Sequence, residues 1–100
     1  MVKHIILWKI KETYSEAEKE TIKAEAKAAL EALVGVVPGL TYMQIHTKGL
    51  PSSNADMMLD STLVDEAALK GYAVHPAHVE VADTKVRPFM ETRLCLDYGV

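Results

Sequence analysis

Residues 40–63 read Leu40-Thr41-Tyr42-Met43-Gln44-Ile45-His46-Thr47-Lys48-Gly49-Leu50-Pro51-Ser52-Ser53-Asn54-Ala55-Asp56-Met57-Met58-Leu59-Asp60-Ser61-Thr62-Leu63. Leu40 to Lys48 predicts a strand, with Tyr42, Gln44 and His46 on one face and Met43 and Ile45 on the other. Gly49 to Asn54 contains Pro51, Ser52 and Ser53 and predicts a loop. Asp56 to Leu63 predicts the next strand, setting Met57, Leu59 and Leu63 against Met58, Asp60 and Thr62. Two strands therefore follow one another with no helix between them. What flanks this pair on each side sets the topology.

Upstream, Pro38-Gly39 makes a turn and Gly35 ends a helix. That helix opens at Ser15, which has the capping-box spacing to Glu18. Ile22, Ala26, Ala29, Leu30 and Leu33 form its apolar stripe, and Glu16, Lys19, Glu20, Lys23, Lys27 and Glu31 fill the solvated remainder. Before it, residues 1–10 predict a strand. Val2, His4, Ile6, Trp8 and Ile10 point one way, and Ile5 and Leu7 the other, so both faces call for cover. Downstream, Asp65 is placed to cap a second helical region, with Leu69 and Tyr72 three residues apart. His75-Pro76 breaks that helix or starts another. Val79, Ala82 and Val86 continue an apolar stripe, and Arg87-Pro88 closes it. Glu91 to Tyr98 predicts the last strand, with Leu94, Leu96 and Tyr98 opposite Arg93, Cys95 and Asp97.

The order is β-α-β-β-α-β, an α+β ferredoxin-like arrangement with both helical regions on one face of an antiparallel sheet. The other face is expected to carry Trp8, Ile6 and Tyr42 or its alternates, too apolar for water. A second copy of the chain is the simplest cover, which predicts a homodimer enclosing an α/β barrel.

The 100 residues suit one domain spanning 1–100, and 49% apolar with 25% charged residues is ordinary for a globular chain. A net charge of -3 argues against a general nucleic-acid binder. Cys95 is the single cysteine, which excludes an intrachain disulfide and a Cys-based zinc cluster and fits a reducing compartment. The uncharged run Ile5-Ile6-Leu7-Trp8 is too short for a signal-peptide core or a membrane span. A cytoplasmic protein with no membrane contact is expected.

The opening Val2-Lys3-His4-Ile5-Ile6-Leu7, the Pro38-Gly39 turn, the segment His75-Pro76-Ala77-His78-Val79 and the ending Asp97-Tyr98 together resemble the stress-responsive A/B barrel (Dabb) family. The resemblance covers nearly the whole chain. It implies a ferredoxin-like fold that dimerises into an α+β barrel. The family's functions are mixed: bacterial members without an assigned activity, plant stress proteins, and a plant polyketide cyclase that works without a cofactor. The resemblance to that cyclase implies a catalytic pair at Tyr72 and His78 and a pocket histidine at His4. The sequence departs from it at Met57, where the cyclase has another pocket histidine, which makes the expected pocket less polar.

The residue chemistry suits such a role. An imidazole can take a proton from an activated carbon near neutral pH, and a tyrosine hydroxyl can donate to an oxygen on which charge develops. His4, His75, Trp8 and Met57 are the expected binding residues beside Tyr72 and His78. The bland alternatives are specific. His75 caps a helix, His78 bonds a backbone carbonyl, His4 lies in the core or an interface, and Trp8 and Tyr42 fill a seam. Met43, Met57, Met58 and Met90 suit core filling, and Cys95 suits an inert buried position. His75 and His78 alone have a metal-like local spacing, and no further motif supports a metal site, so neither metal nor cofactor is expected. Three functions remain. These are a binder of a small apolar or aromatic molecule, a cofactor-free enzyme resembling the polyketide cyclase, and a structural stress protein.

Overall fold

A computed structural model describes all 100 residues. The elements are β1 (Val2–Ile10), α1 (Glu16–Glu31), β2 (Leu40–His46), β3 (Met57–Leu63), α2 (Glu66–Val74), α3 (Pro76–Val81) and β4 (Met90–Gly99). Between α3 and β4 the chain passes through a π-helical turn, Ala82–Val86, and a short 3-10 turn, Arg87–Phe89. The four strands form one antiparallel sheet in the order β2-β3-β1-β4. This is the ferredoxin-like arrangement expected from the element order.

Local chemistry sets the boundaries. The Ser15 hydroxyl accepts from the Glu18 amide at 3.1 Å, and the Glu18 carboxylate accepts from the Ser15 amide at 2.8 Å. Two of the free amides at the start of α1 are thereby satisfied. The Asp65 carboxylate caps α2 by accepting from the Ala68 amide at 2.8 Å. His75-Pro76 both ends α2 and begins α3. The His75 backbone is extended, as the residue before proline prefers, and Pro76 occupies the first turn of the new helix.

Alternation along β1 divides the sheet into two unlike faces. Val2, His4, Ile6, Trp8 and Ile10 are all buried beneath the helices. They join Met43, Ile45, Leu59 and Leu63 from β2 and β3, and Ala26 and Leu30 from α1. The opposite face is bare in the single chain. There Leu94 is 62% and Leu96 64% exposed, and Leu7, Tyr42 and Tyr98 are exposed as well.

The expectation that Trp8 and Ile6 lie on the uncovered face is corrected here: both are 4% exposed and pack under the helices. Alternation separates the two faces of a strand but does not say which one the helices cover. Tyr42 does lie on the bare face as expected, and the rest of that face's apolar surface comes from Leu7 of β1 and Leu94, Leu96 and Tyr98 of β4. Lys19 is a second correction. It lies on the stripe of α1, one turn before Ile22, and is only 7% exposed. Its stem covers apolar surface, and its ammonium reaches the Glu12 carboxylate at 3.1 Å.

Two glycines turn the chain from α1 into β2 at positive φ, Gly35 at 88° and Gly39 at 82°. α1 itself ends at Glu31, before Gly35, and a series of turns fills the gap. Gly39 also lets α2 approach, since a Cβ there would lie 2.5 Å from the Ala68 Cβ, whereas one at Gly35 meets nothing within 4 Å. Gly35→Ala is therefore expected to cost only the left-handed backbone penalty, about 1–2 kcal/mol. Gly39→Ala adds a clash between elements and is expected to cost more. Urea denaturation of the two variants checks the order, and equal losses would show that the close approach to α2 carries no weight.

Candidate functional site

The helices pack on β1, β2 and β3, while every residue from Glu91 to Gly99 is exposed. The helix-side face of β1 and β4 therefore opens into a cleft of about 530 Å³, roofed by α2, α3 and the π-helical turn. Register decides what stands in it. On β4 the helix-side residues are Arg93, Cys95 and Asp97, paired in turn with Trp8, Ile6 and His4 of β1. From the roof come Leu69, Lys70, Tyr72, His78, Val86 and Arg87.

Tyr72 is 2% exposed, and its hydroxyl has no hydrogen-bond partner. Burial drives its pKa well above the usual phenol value, with the Arg93 charge opposing only in part. The hydroxyl is therefore a proton donor and not a base at physiological pH. His78 stacks on it, ring centroids 4.1 Å apart at 34°. The His78 Nδ1 lies 3.4 Å from the Ala73 carbonyl oxygen. A carbonyl only accepts, so this contact needs the proton on Nδ1 and leaves Nε2 as the basic nitrogen. Burial first, and then the charges of Arg87, His4 and Arg93, push the His78 pKa below its ordinary value, against the pull of that carbonyl. The imidazole is thereby held neutral, the form a general base requires.

His4 is 6% exposed and meets the Tyr72 ring edge-on, centroids 5.7 Å apart. Its Nδ1 pairs with the Asp97 carboxylate across the β1–β4 ladder. The Cys95 thiol lies beside this pair, 3.7 Å from the His4 Nδ1 and 3.5 Å from the Asp97 carboxylate. Cys95 is not the buried residue expected. It is exposed toward the cleft, and partial burial together with the Asp97 charge raises its thiol pKa.

Four of the six expected site residues line one cleft: Tyr72, His78, His4 and Trp8. The other two do not. His75 caps α3, its Nδ1 accepting from the Ala77 amide at 3.1 Å. Met57 is buried in the core behind the sheet-facing helix residues and borders a separate, shallower depression near Lys48 and Ser53. The ring nitrogens of His75 and His78 thus make separate backbone contacts. Lys70, Arg87, Arg93, Cys95 and Asp97 are the polar lining residues that sequence did not place in a site. For Arg93, Cys95 and Asp97 the only sequence signal was the alternation of the last strand, and its pairing to β1 was needed to read it.

Residues 2–100 match the family model described as the Stress responsive A/B Barrel Domain, and the chain belongs to this Dabb family. It is 30% identical to olivetolic acid cyclase of Cannabis sativa over 101 residues, covering 97% of this chain and 94% of the cyclase. In structure it resembles a dimeric protein of unknown function from Bacteroides fragilis with a ferredoxin-like fold. The TM-score there is 0.92 at 28% identity, covering 99% of this chain and 95% of the other. It also shares its fold with the hydroxynitrile lyase of Passiflora edulis, with a TM-score of 0.74 at 20% identity, covering 97% and 90% of the two chains.

The depressed His78 pKa has a consequence for stability. The unfolded chain takes up this proton at a higher pH than the native cleft does. The contribution of His78 is therefore fully present above about pH 6.5 and is lost as pH falls through the lower native value. A histidine NMR titration is expected to find His78 titrating below the ordinary range, and His78→Gln is expected to flatten the acid side of the stability curve. A His78 midpoint at or above 6.5 would contradict the buried, cation-flanked setting described above.

Proposed function

We propose that this chain is a Dabb protein that binds a small apolar or aromatic molecule in the cleft between sheet and helices. It acts as one domain over residues 1–100, in a cytoplasmic homodimer. The observation carrying this reading is the Tyr72 hydroxyl, buried in an apolar cleft of about 530 Å³ with nothing to bond. A buried donor left unmade costs about 1–3 kcal/mol, and a bound acceptor offsets that cost. An open cleft also supports binding over a purely structural stress role, in which side chains would fill the interior.

The second reading is a cofactor-free, polyketide-cyclase-like enzyme, supported by the stacked Tyr72–His78 pair and by the similarity to olivetolic acid cyclase. Here Nε2 of His78 takes a proton from a carbon beside a carbonyl, and the Tyr72 O–H donates to the oxygen that gains charge. His4, backed by Asp97, orients Tyr72 from its edge. The dimer rests on the bare face of Leu94, Leu96, Tyr98, Leu7 and Tyr42, and on the dimeric Bacteroides relative.

A ligand of the cleft present at a hundredfold excess over its Kd is expected to stabilise the fold by about 2.7 kcal/mol. Tyr72→Phe and Trp8→Ala are expected to shrink that gain. A screen of small aromatic molecules that yields no melting shift would remove the binding reading. For the enzymatic reading, NMR can follow deuterium exchange at the central carbon of a β-diketone. Its catalysed rate is expected to fall on the order of 10²-fold or more in His78→Ala, and an unchanged rate would remove His78 as the base. Light scattering is expected to return about twice the 11.0 kDa chain mass, and a monomer at micromolar concentration would remove the barrel.

A further inference from the structure

The cleft does not share the charge of the chain. The whole sequence carries -3, yet the cleft is lined by Lys70, Arg87 and Arg93 against one carboxylate, Asp97. Two of these four charged groups already have polar partners within the chain. Asp97 pairs with His4, and Arg87 binds the Asp83 carboxylate at 2.7 Å. Lys70 and Arg93 have no carboxylate within 4 Å. The remaining polar groups of the lining add no negative charge, because Tyr72 is held protonated and the Cys95 thiol is held as a thiol. The cleft is thus an apolar floor of Ile6, Trp8, Leu30 and Leu59 with two lining cations that no carboxylate pairs.

This arrangement is selective in a simple physical sense. The low-dielectric wall of a cleft focuses the field of a nearby cation, which raises the local concentration of anions and repels cations. Arg93 lines the same cleft as Tyr72, His78 and Cys95. It projects from β4 beside Trp8, so a flat body lying against Trp8 puts its substituent within reach of the guanidinium. A guanidinium offers a planar fork of donors that fits a carboxylate or phosphate group.

We infer that the ligand of this cleft is amphipathic, a flat apolar body bearing one anionic head, carboxylate or phosphate, taken by Arg93, with Lys70 the other cation of the lining that no carboxylate pairs. The inference rests on the binding reading above and names the class of molecule bound. A neutral ligand of the same shape would leave both cations solvated and gain nothing from them.

The test compares three probes of one shape by calorimetry in low salt: 2-naphthoate, 2-naphthyl phosphate and the neutral 2-naphthamide. At least one anion is expected to bind tenfold or more tightly than the amide, the scale of one charge-assisted hydrogen bond. The tighter of the two anions identifies the head. In Arg93→Gln that preference is expected to fall to about twofold or less with the amide's affinity unchanged, and Lys70→Gln is expected to remove a smaller part of it. Lys85→Gln, a cation outside the cleft that pairs with Glu25, is expected to leave the preference intact. Added salt is expected to narrow the gap between anion and amide. Equal binding of amide and anions would overturn the inference while leaving the cleft a binding site. A preference that survives in Arg93→Gln would overturn the assignment to Arg93. Failure of all three probes to bind would overturn the inference together with the binding reading beneath it.

Discussion

The antiparallel ladder between β1 and β4 is the constraint on which this molecule turns. It brings His4 opposite Asp97, Ile6 opposite Cys95 and Trp8 opposite Arg93, although the partners are about 90 residues apart in sequence. A strand pair has only two faces, so one choice of register assigns every side chain on both strands. The charged and polar residues of β4 face the helices, and its leucines face away. The helices leave β4 uncovered, so those polar residues line an open cleft and escape burial without partners.

The other half of the site depends on the break at His75-Pro76. α2 delivers Tyr72 near its C-terminal end, where it is buried over the sheet. The chain then changes direction through an extended residue and starts α3, which returns His78 to the Tyr72 ring. An unbroken helix would separate residues 72 and 78 by about 9 Å along its axis and some 240° around it. The proline thus creates the contact that the two side chains need. His75 serves this geometry from outside the cleft, as the cap that satisfies an amide of the new helix.

These two features explain what sequence reading could and could not reach. Element order, the Ser15–Glu18 box, the Asp65 cap and the alternation of each strand depend on neighbours within a few residues, and all are legible. The pocket histidine at His4 and the pair Tyr72–His78 were accessible through family resemblance, because six residues interrupted by a proline do not establish a contact. The His4–Asp97 pair and the entry of Arg93 and Cys95 into the cleft depend on β1–β4 register, which no local pattern encodes. Lys19 misleads for a related reason. Charge marks it as a surface residue, and only the packing of its stem on neighbouring apolar groups, with Glu12 beside its tip, makes burial tolerable.

The alternation of β4 also separates two kinds of evolutionary freedom. Positions 93, 95 and 97 write the chemistry of the cleft, and positions 94, 96 and 98 write the surface on the far side of the sheet. Neighbouring residues therefore belong to different surfaces. Substitution at 93, 95 or 97 alters the cleft without disturbing the far surface, and substitution at 94, 96 or 98 does the reverse. Insertion or deletion of one residue in this strand is the change that breaks both at once. A ten-residue strand arranged this way lets one scaffold diversify widely in sequence while its architecture stays the same.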